Sequence, residues 1–539
     1  MLSQILINSP HLSEICFYKL SVNGLQMIAS SQCVRSIRII KASITDSEKD
    51  GGGEYSVEAI KTLCRACPNL LNLGLNISTY LRGELEVDFI RCVRVIRCVI
   101  QSCPLIEVFI IENLTEGVMN ILSTIHTLKV FQLGDVTVST ALVQLDCVFA
   151  ANQFTRLTLQ DPIKSALVSS IGKYCGNLRV LSIDISFRPA ISDECLRDLF
   201  QGCSLLEVIK MENACTLSNT TLQVLFHSCH YITDITLFYG FQPSPEYDNN
   251  SDVEPVIEAY YPTLVNLSVS GEMMSDSALR DIFTHCTNLK EVKIESSGDS
   301  TNIALDALAT YCLLLEVCEL EYDKGIVSNR FLRDLFRCCR RLTELVIDLR
   351  GGVQGPVCYG LYTNVLSACY PALTKLTVQG EGVYDTAMRD MFTYCTSLRH
   401  LEVGNYPTCL ITDTSIERLV ENCPLLETLT LEYCEHFTVE SMVDIAMHCT
   451  NLTSLTLHTT PINKHFLIQL SLHCPKLDYL CITSCKGKFT ANEIILIADK
   501  CTQLTFFRVS HCDVKKTDKL ISMDKGELYA HMRFQFHEK

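Results

Sequence analysis

One nine-residue phrase, Cys-x-x-Leu-x-x-Leu-x-Leu, returns along the chain and limits its fold more than any other property. It stands in Cys67–Leu75, Cys423–Leu431 and Cys449–Leu457. With the cysteine called position zero, units start at Ser9, Ser31, Cys67, Cys103, Ile125, Ala151, Cys175, Cys203, Cys229, Tyr261, Cys286, Cys312, Cys339, Tyr370, Cys395, Cys423, Cys449, Cys474 and Cys501. Thirteen of these nineteen starts are cysteine, so the residue marks a place in the unit and is not scattered chemistry. The first and last starts lie 492 residues apart, about 27 per unit. A fixed short period means that each unit packs only on its neighbours and the core grows lengthwise. A chain of 539 residues then need not divide into several compact domains. Repeats are expected over 1–512, with 513–539 as a tail that drops the phrase and covers the last unit.

Each unit carries the same internal pattern. Positions 3, 6 and 8 are apolar, as in Leu178, Leu181 and Ile183, and the alternation of 6 and 8 predicts a short strand with one buried face. Position 11 is again cysteine in Cys434, Cys485 and Cys512, where a small side chain suits an inward bend. A hydroxyl residue with acidic neighbours follows, as in Ile191-Ser192-Asp193-Glu194 and Ile411-Thr412-Asp413, and predicts a helix start. Apolar residues then recur at helical spacing, as at Ile416, Leu419 and Val420. The expected fold is α/β: a strongly curved solenoid of about nineteen repeats, parallel strands on the concave face and helices on the convex face.

The phrase Cys-Pro-x-Leu-x-x-Leu-x-Leu, a second cysteine and Ile-Thr-Asp before a helix resemble the cysteine-containing subclass of leucine-rich repeats. Cys423–Leu431, Cys434 and Ile411–Asp413 carry the resemblance best, and it covers residues 9 to 512. This is the repeat type of F-box/leucine-rich-repeat proteins, with a ribonuclease-inhibitor-like solenoid. The resemblance implies a protein-recognition scaffold, the substrate-binding part of an SCF-type (cullin-RING) ubiquitin ligase. A free-standing scaffold or inhibitor with no ligase link is the alternative. No F-box segment precedes Ser9, and the chain has no Trp. A ubiquitin-ligase adaptor is therefore an expected partner only if an F-box lies upstream of Met1.

Composition bears on what such a surface could bind. The formal net charge is −16, which argues against nucleic acid and suits a basic protein partner or plain solubility. Thirty cysteines raise disulfides, metal and nucleophiles. Their spacing by the repeat, with no basic leader at the amino end, predicts reduced, buried thiols in a cytoplasmic or nuclear protein. Cys64-Arg-Ala-Cys67 has metal-like spacing but lacks a second pair nearby, so no metal is expected there. His285, His448 and His473 precede repeat cysteines, but adjacent helix positions diverge and cannot form a relay. No phosphate loop, nucleophile elbow or cofactor motif is present, and no enzyme is expected. No apolar run reaches the length of a membrane span; the best candidate stretch, Phe89 to Ile100, is broken by Arg91, Arg94 and Arg97.

Binding candidates come from the concave strand face. Positions 7 and 9 flank buried position 8 and should point outward from it. Position 9 supplies Glu112, Asp184, Glu212, Glu295, Glu321, Asp348 and Glu432. Position 7 adds Glu319 and Glu402 against Lys210, Lys293 and Arg508, and position 10 adds Tyr239, Tyr322 and Tyr433. These residues form either a solvated acidic face or a docking strip for a basic segment with tyrosine anchors. Long insertions at 47–55, 76–86, 239–255 and 350–359, the last with Gly351, Gly352 and Gly355, mark a rim. Arg330, Arg333, Arg337, Arg340 and Arg341 predict a basic patch on an outer helix.

Overall fold

The computed structural model describes residues 14–20, 22–31, 39–44, 53–67, 69–70, 72–76, 97, 99, 101–103, 108–111, 128–133, 142–160, 165–184, 191–212, 217–238, 257, 260–270, 274, 276–296, 302–322, 327–349, 370, 372–380, 385–404, 409–514, 517–524 and 532–538. The chain forms two compact units, Met1–Val256 and Ile257–Lys539. In the first, the strands are β1 Glu14–Leu20, β2 Ile39–Ile44, β3 Asn72–Asn76, β4 Val108–Ile111, β5 Val130–Leu133, β6 Arg156–Gln160, β7 Val180–Asp184, β8 Val208–Glu212 and β9 Asp234–Phe238. Each pairs in parallel with the next. In the second they are β10 Asn266–Ser270, β11 Glu291–Ser296, β12 Val317–Tyr322, β13 Glu344–Leu349, β14 Lys375–Gly380, β15 His400–Gly404, β16 Thr428–Glu432, β17 Ser454–His458, β18 Tyr479–Thr483, β19 Phe506–Cys512 and β20 Arg533–Glu538. They too pair in parallel in chain order. Helices such as Ser165–Tyr174, Asp193–Gly202 and Val439–His448 alternate with the strands. Strand, turn and helix repeated in one direction make a leucine-rich-repeat solenoid.

Strand register checks the repeat alignment residue by residue. Asn72, position 5 of the Cys67 unit, pairs with Val108, which pairs with Val130, which pairs with Arg156. The starts at Cys103, Ile125 and Ala151 are therefore in frame. The start at Ser31 is not: Ile39 pairs with Asn72, so that unit begins at Val34. Two frames fit the apolar pattern here, because Val34, Ile37 and Ile39 satisfy one and Ile37, Ile40 and Ala42 the other. The tail also differs from expectation. Instead of dropping the repeat, it carries helix Asp518–Asp524 and β20, with Phe534 and Phe536 buried opposite Phe507 and Val509. Phenylalanines stand where the phrase has leucines, and Leu528 stands where it has cysteine.

Burial follows the pleat: β7, β9, β16 and β17 each bury positions 6 and 8 and leave 5, 7 and 9 half-exposed. The repeat cysteine caps the preceding helix; the Cys203 N–H, for example, reaches the Leu199 carbonyl at 2.9 Å. Its thiol then donates backward to the previous repeat. Cys203 Sγ lies 3.4 Å from the Cys175 carbonyl, Cys229 3.5 Å from that of Cys203, and Cys339 3.5 Å from that of Cys312. Where tyrosine replaces cysteine, the Tyr370 hydroxyl donates to the Cys339 carbonyl and keeps the link. Burial pushes the thiols of Cys175, Cys229, Cys423 and Cys449 up to about 12. From Cys64 onward the cysteines with described side chains are free thiols, and all but Cys147, Cys195 and Cys338 are buried.

The acidic helix starts do more than complement a dipole. Ser218, Ser328, Thr438 and Asn463 cap their helices through the side chain, whereas Ser192 and Thr412 do not. The aspartates instead staple neighbouring repeats. Asp193 accepts from the Ser218 hydroxyl at 2.7 Å, Asp385 from the Thr412 N–H at 2.9 Å, and Asp413 from the Thr438 N–H at 2.8 Å. Burial alone would raise the Asp385 carboxyl, but hydrogen bonds from Thr414, Ser415 and Thr412 outweigh it and hold the group below its ordinary value. Asp193 is lowered in the same way by Thr221 and Ser218.

Candidate protein-binding face

The open face of each sheet, away from the helices, presents positions 5, 7 and 9. Parallel, in-register pairing stacks equal positions about 4.8 Å apart from strand to strand. In the second unit this lines up Glu295, Glu321 and Asp348, which are successive register partners. Glu295 and Glu321 are exposed. Like charges directly opposite one another on a sheet are destabilising, so this row favours a cation laid across it. Glu432 is half-exposed at the same position of β16. In the first unit Glu212 is exposed and pairs in register with half-exposed Asp184.

Other candidates are changed by the structure. Asp348 is 6% exposed and stands in the ladder between Glu321 and Gln379, so it is a covered member of the row and not a contact residue. Tyr322 is 5% exposed; position 10 follows the last open-face position and turns inward, so it is no surface anchor. Tyr433, at the same position, adopts φ 56° and packs edge-on against the His458 ring at 4.7 Å. Thr459, Ser484 and His511 share this left-handed turn in the following units, a backbone row that side-chain patterning does not announce. Glu319 is paired with Lys293 at 2.8 Å, and Glu402 accepts from the Gln379 amide, so both are partly committed within the sheet. Tyr239 and Glu112 lie outside the described residues, as do most of the expected rim insertions. Gly53–Tyr55, placed in the first insertion, begin helix Gly53–Ala66.

The remaining signals resolve into local structure. Cys64 and Cys67 are buried, and their carbonyls accept from the Cys103 thiol at 3.6 Å. Among the described residues no group of three His, Cys, Asp or Glu side chains could hold a metal ion. His285 and His448 each donate from Nδ1 to a carbonyl one turn back, Asp281 and Asp444. The basic helix Asn329–Cys338 is partly neutralised, with Arg337 3.2 Å from Asp334 and Arg330 3.8 Å from Asp306. No helix among the described residues is long and apolar enough to cross a membrane.

Sequence inspection missed one feature of the open face. Tyr479 and Phe506, at position 5 of β18 and β19, stack with ring centroids 4.7 Å apart beside Arg508. Position 5 read along the phrase like positions 7 and 9 would have found them.

Comparison with known proteins finds partial matches to F-box/leucine-rich-repeat proteins. No family model matches the chain. It is 23% identical over 192 residues to Coronatine-insensitive protein 1 of Arabidopsis thaliana, covering 33% of this chain and 32% of that protein. It is 23% identical over 248 residues to F-box/LRR-repeat protein 4 of Bos taurus, covering 44% and 38%. It is 28% identical over 216 residues to F-box protein SKIP17 of Arabidopsis thaliana, covering 39% and 41%. The matched stretches are similar to the repeats of F-box/leucine-rich-repeat proteins. The matches span about a third to two fifths of those F-box relatives' own length. Among solved structures, an internalin of Listeria monocytogenes matches with TM-score 0.36 and 16% identity over 69% of this chain and 82% of its own. The yeast Rad7–Elc1 complex matches with TM-score 0.30 and 13% identity over 92% and 81%. At such scores these superpositions add nothing to what the strand ladder establishes.

Proposed function

We propose that this chain is a non-enzymatic recognition scaffold, the substrate-binding part of an SCF-type (cullin-RING) ubiquitin-ligase receptor. The observation that carries the reading is the repeat shared with F-box/leucine-rich-repeat proteins, joined here to a carboxylate row on the open face. Burial holds the repeat thiols protonated, which supports a structural use of cysteine over a nucleophilic one. Glu295 and Glu321 engage a basic segment of the bound protein: the row gains a cation and the partner gains steering. A receptor of this kind works in the cytoplasm or nucleus, where its thiols stay reduced. The test is affinity capture of the full chain from its native cells, probed for the cullin adaptor. Co-capture supports the receptor. Retention of a protein partner without adaptor or cullin contradicts the ligase link and leaves a free-standing scaffold or inhibitor.

A further inference from the structure

The carboxylate row occupies only part of the open face of the second unit; on β18–β20 the character reverses. Tyr479 and Phe506 are register partners whose rings lie 10° from parallel, and Tyr479 is 37% exposed. The Arg508 guanidinium sits 5.9 Å from the Phe506 ring centroid and donates from Nε to Gln535 at 2.8 Å. Arg533, the register partner of Phe506 on β20, is exposed. Gln535 is neutral, and neither guanidinium forms an ion pair among the described residues. The rest of the open face of β18 and β19 is uncharged: Cys481, Thr483 and Ser510, with the two hydroxyls 3.2 Å apart. Two cations and a stacked aromatic pair thus share one patch with no carboxylate on their own strands' open face.

Each element of this patch selects a partner group. An exposed guanidinium binds carboxylate through two parallel N–H donors. A stacked pair offers its outer ring face to a further aromatic side chain. We propose that Tyr479, Phe506, Arg508 and Arg533 form a docking station for a peptide segment that carries an aromatic side chain flanked by carboxylates. The proposal rests on the reading that the open face binds protein, and it adds the chemistry of a second contact. The acidic row on β11 and β12 and the cationic station on β18–β20 attract opposite charges, so a partner carrying both kinds of segment binds in one direction only.

The test uses the full chain and three labelled peptides, read by fluorescence anisotropy: Glu-Asp-Tyr-Glu-Asp, the same peptide with alanine for tyrosine, and a lysine-rich peptide. The tyrosine peptide is expected to bind, and its alanine version to bind several-fold more weakly. Arg508→Ala with Arg533→Ala should weaken the tyrosine peptide by about tenfold or more, and Tyr479→Ala by several-fold. The lysine-rich peptide should be unaffected by these changes. Arg533→Glu alone, at an exposed position, guards against a folding defect in the double variant. Failure of the tyrosine peptide to bind, or equal affinity for wild type and Arg533→Glu, overturns the station. If the lysine-rich peptide alone fails, the acidic-row reading falls and the station stands.

Discussion

A buried thiol at position zero does two jobs: it ends a helix, and it ties that end to the repeat before it. Serine would carry the same donor but a smaller, more polar group, and alanine would carry none. We expect Cys229→Ala to cost about 1–2 kcal/mol, from the lost donor and the space left behind, measured by chemical denaturation. Iodoacetamide followed by peptide mapping should label Cys147 in the native protein, whereas Cys203, Cys229 and Cys339 should react only after unfolding. Labelling of the buried set at the rate of Cys147 would contradict this account. The repeat cysteines were legible as packing residues because their spacing matched the repeat. Asp348 and Tyr322 were not legible as buried, because the sequence pattern tells which face a residue takes and not what its neighbours cover.

Helices and strands meet at close tolerances. Helices Ser165–Tyr174 and Asp193–Gly202 approach so closely that a side chain at Gly202 would meet the Gly172 carbonyl at 1.8 Å. Gly202→Ala should therefore destabilise the protein by about 1–3 kcal/mol in thermal or chemical denaturation. The aspartate staples add a pH dependence. The lowered Asp385 carboxyl contributes stability that is present above its unfolded value, about 3.9, and lost as pH falls through its lower folded value. We expect Asp385→Asn to cost about 1 kcal/mol near neutrality, with melting curves of the two proteins converging below pH of about 4. Strands were legible from position 3, 6 and 8 apolarity up to β19, but the helix and strand of 518–538 were not. Frame was not legible at the second unit, where two frames match the apolar pattern of the sequence equally, nor at β20, where phenylalanines replace the leucines of the phrase.

Across the molecule, the repeat supplies a regular surface and its irregular residues supply chemistry. Net charge of −16 acts at a distance, but the register places specific carboxylates of the second unit in one row, and short range decides binding. The similarity to F-box/leucine-rich-repeat proteins extends over 33–44% of this chain, so the partner is read from the face and not from a relative's name. The most direct test is titration of the full chain with a lysine-rich peptide at low and high salt, comparing wild type with Glu295→Lys plus Glu321→Lys. Both positions are exposed, so the melting temperature should be unchanged. Wild type should bind with affinity that falls steeply with salt, and the reversed protein should lose at least about tenfold. Equal affinity of the two proteins would contradict the assignment of this row as the partner's docking strip.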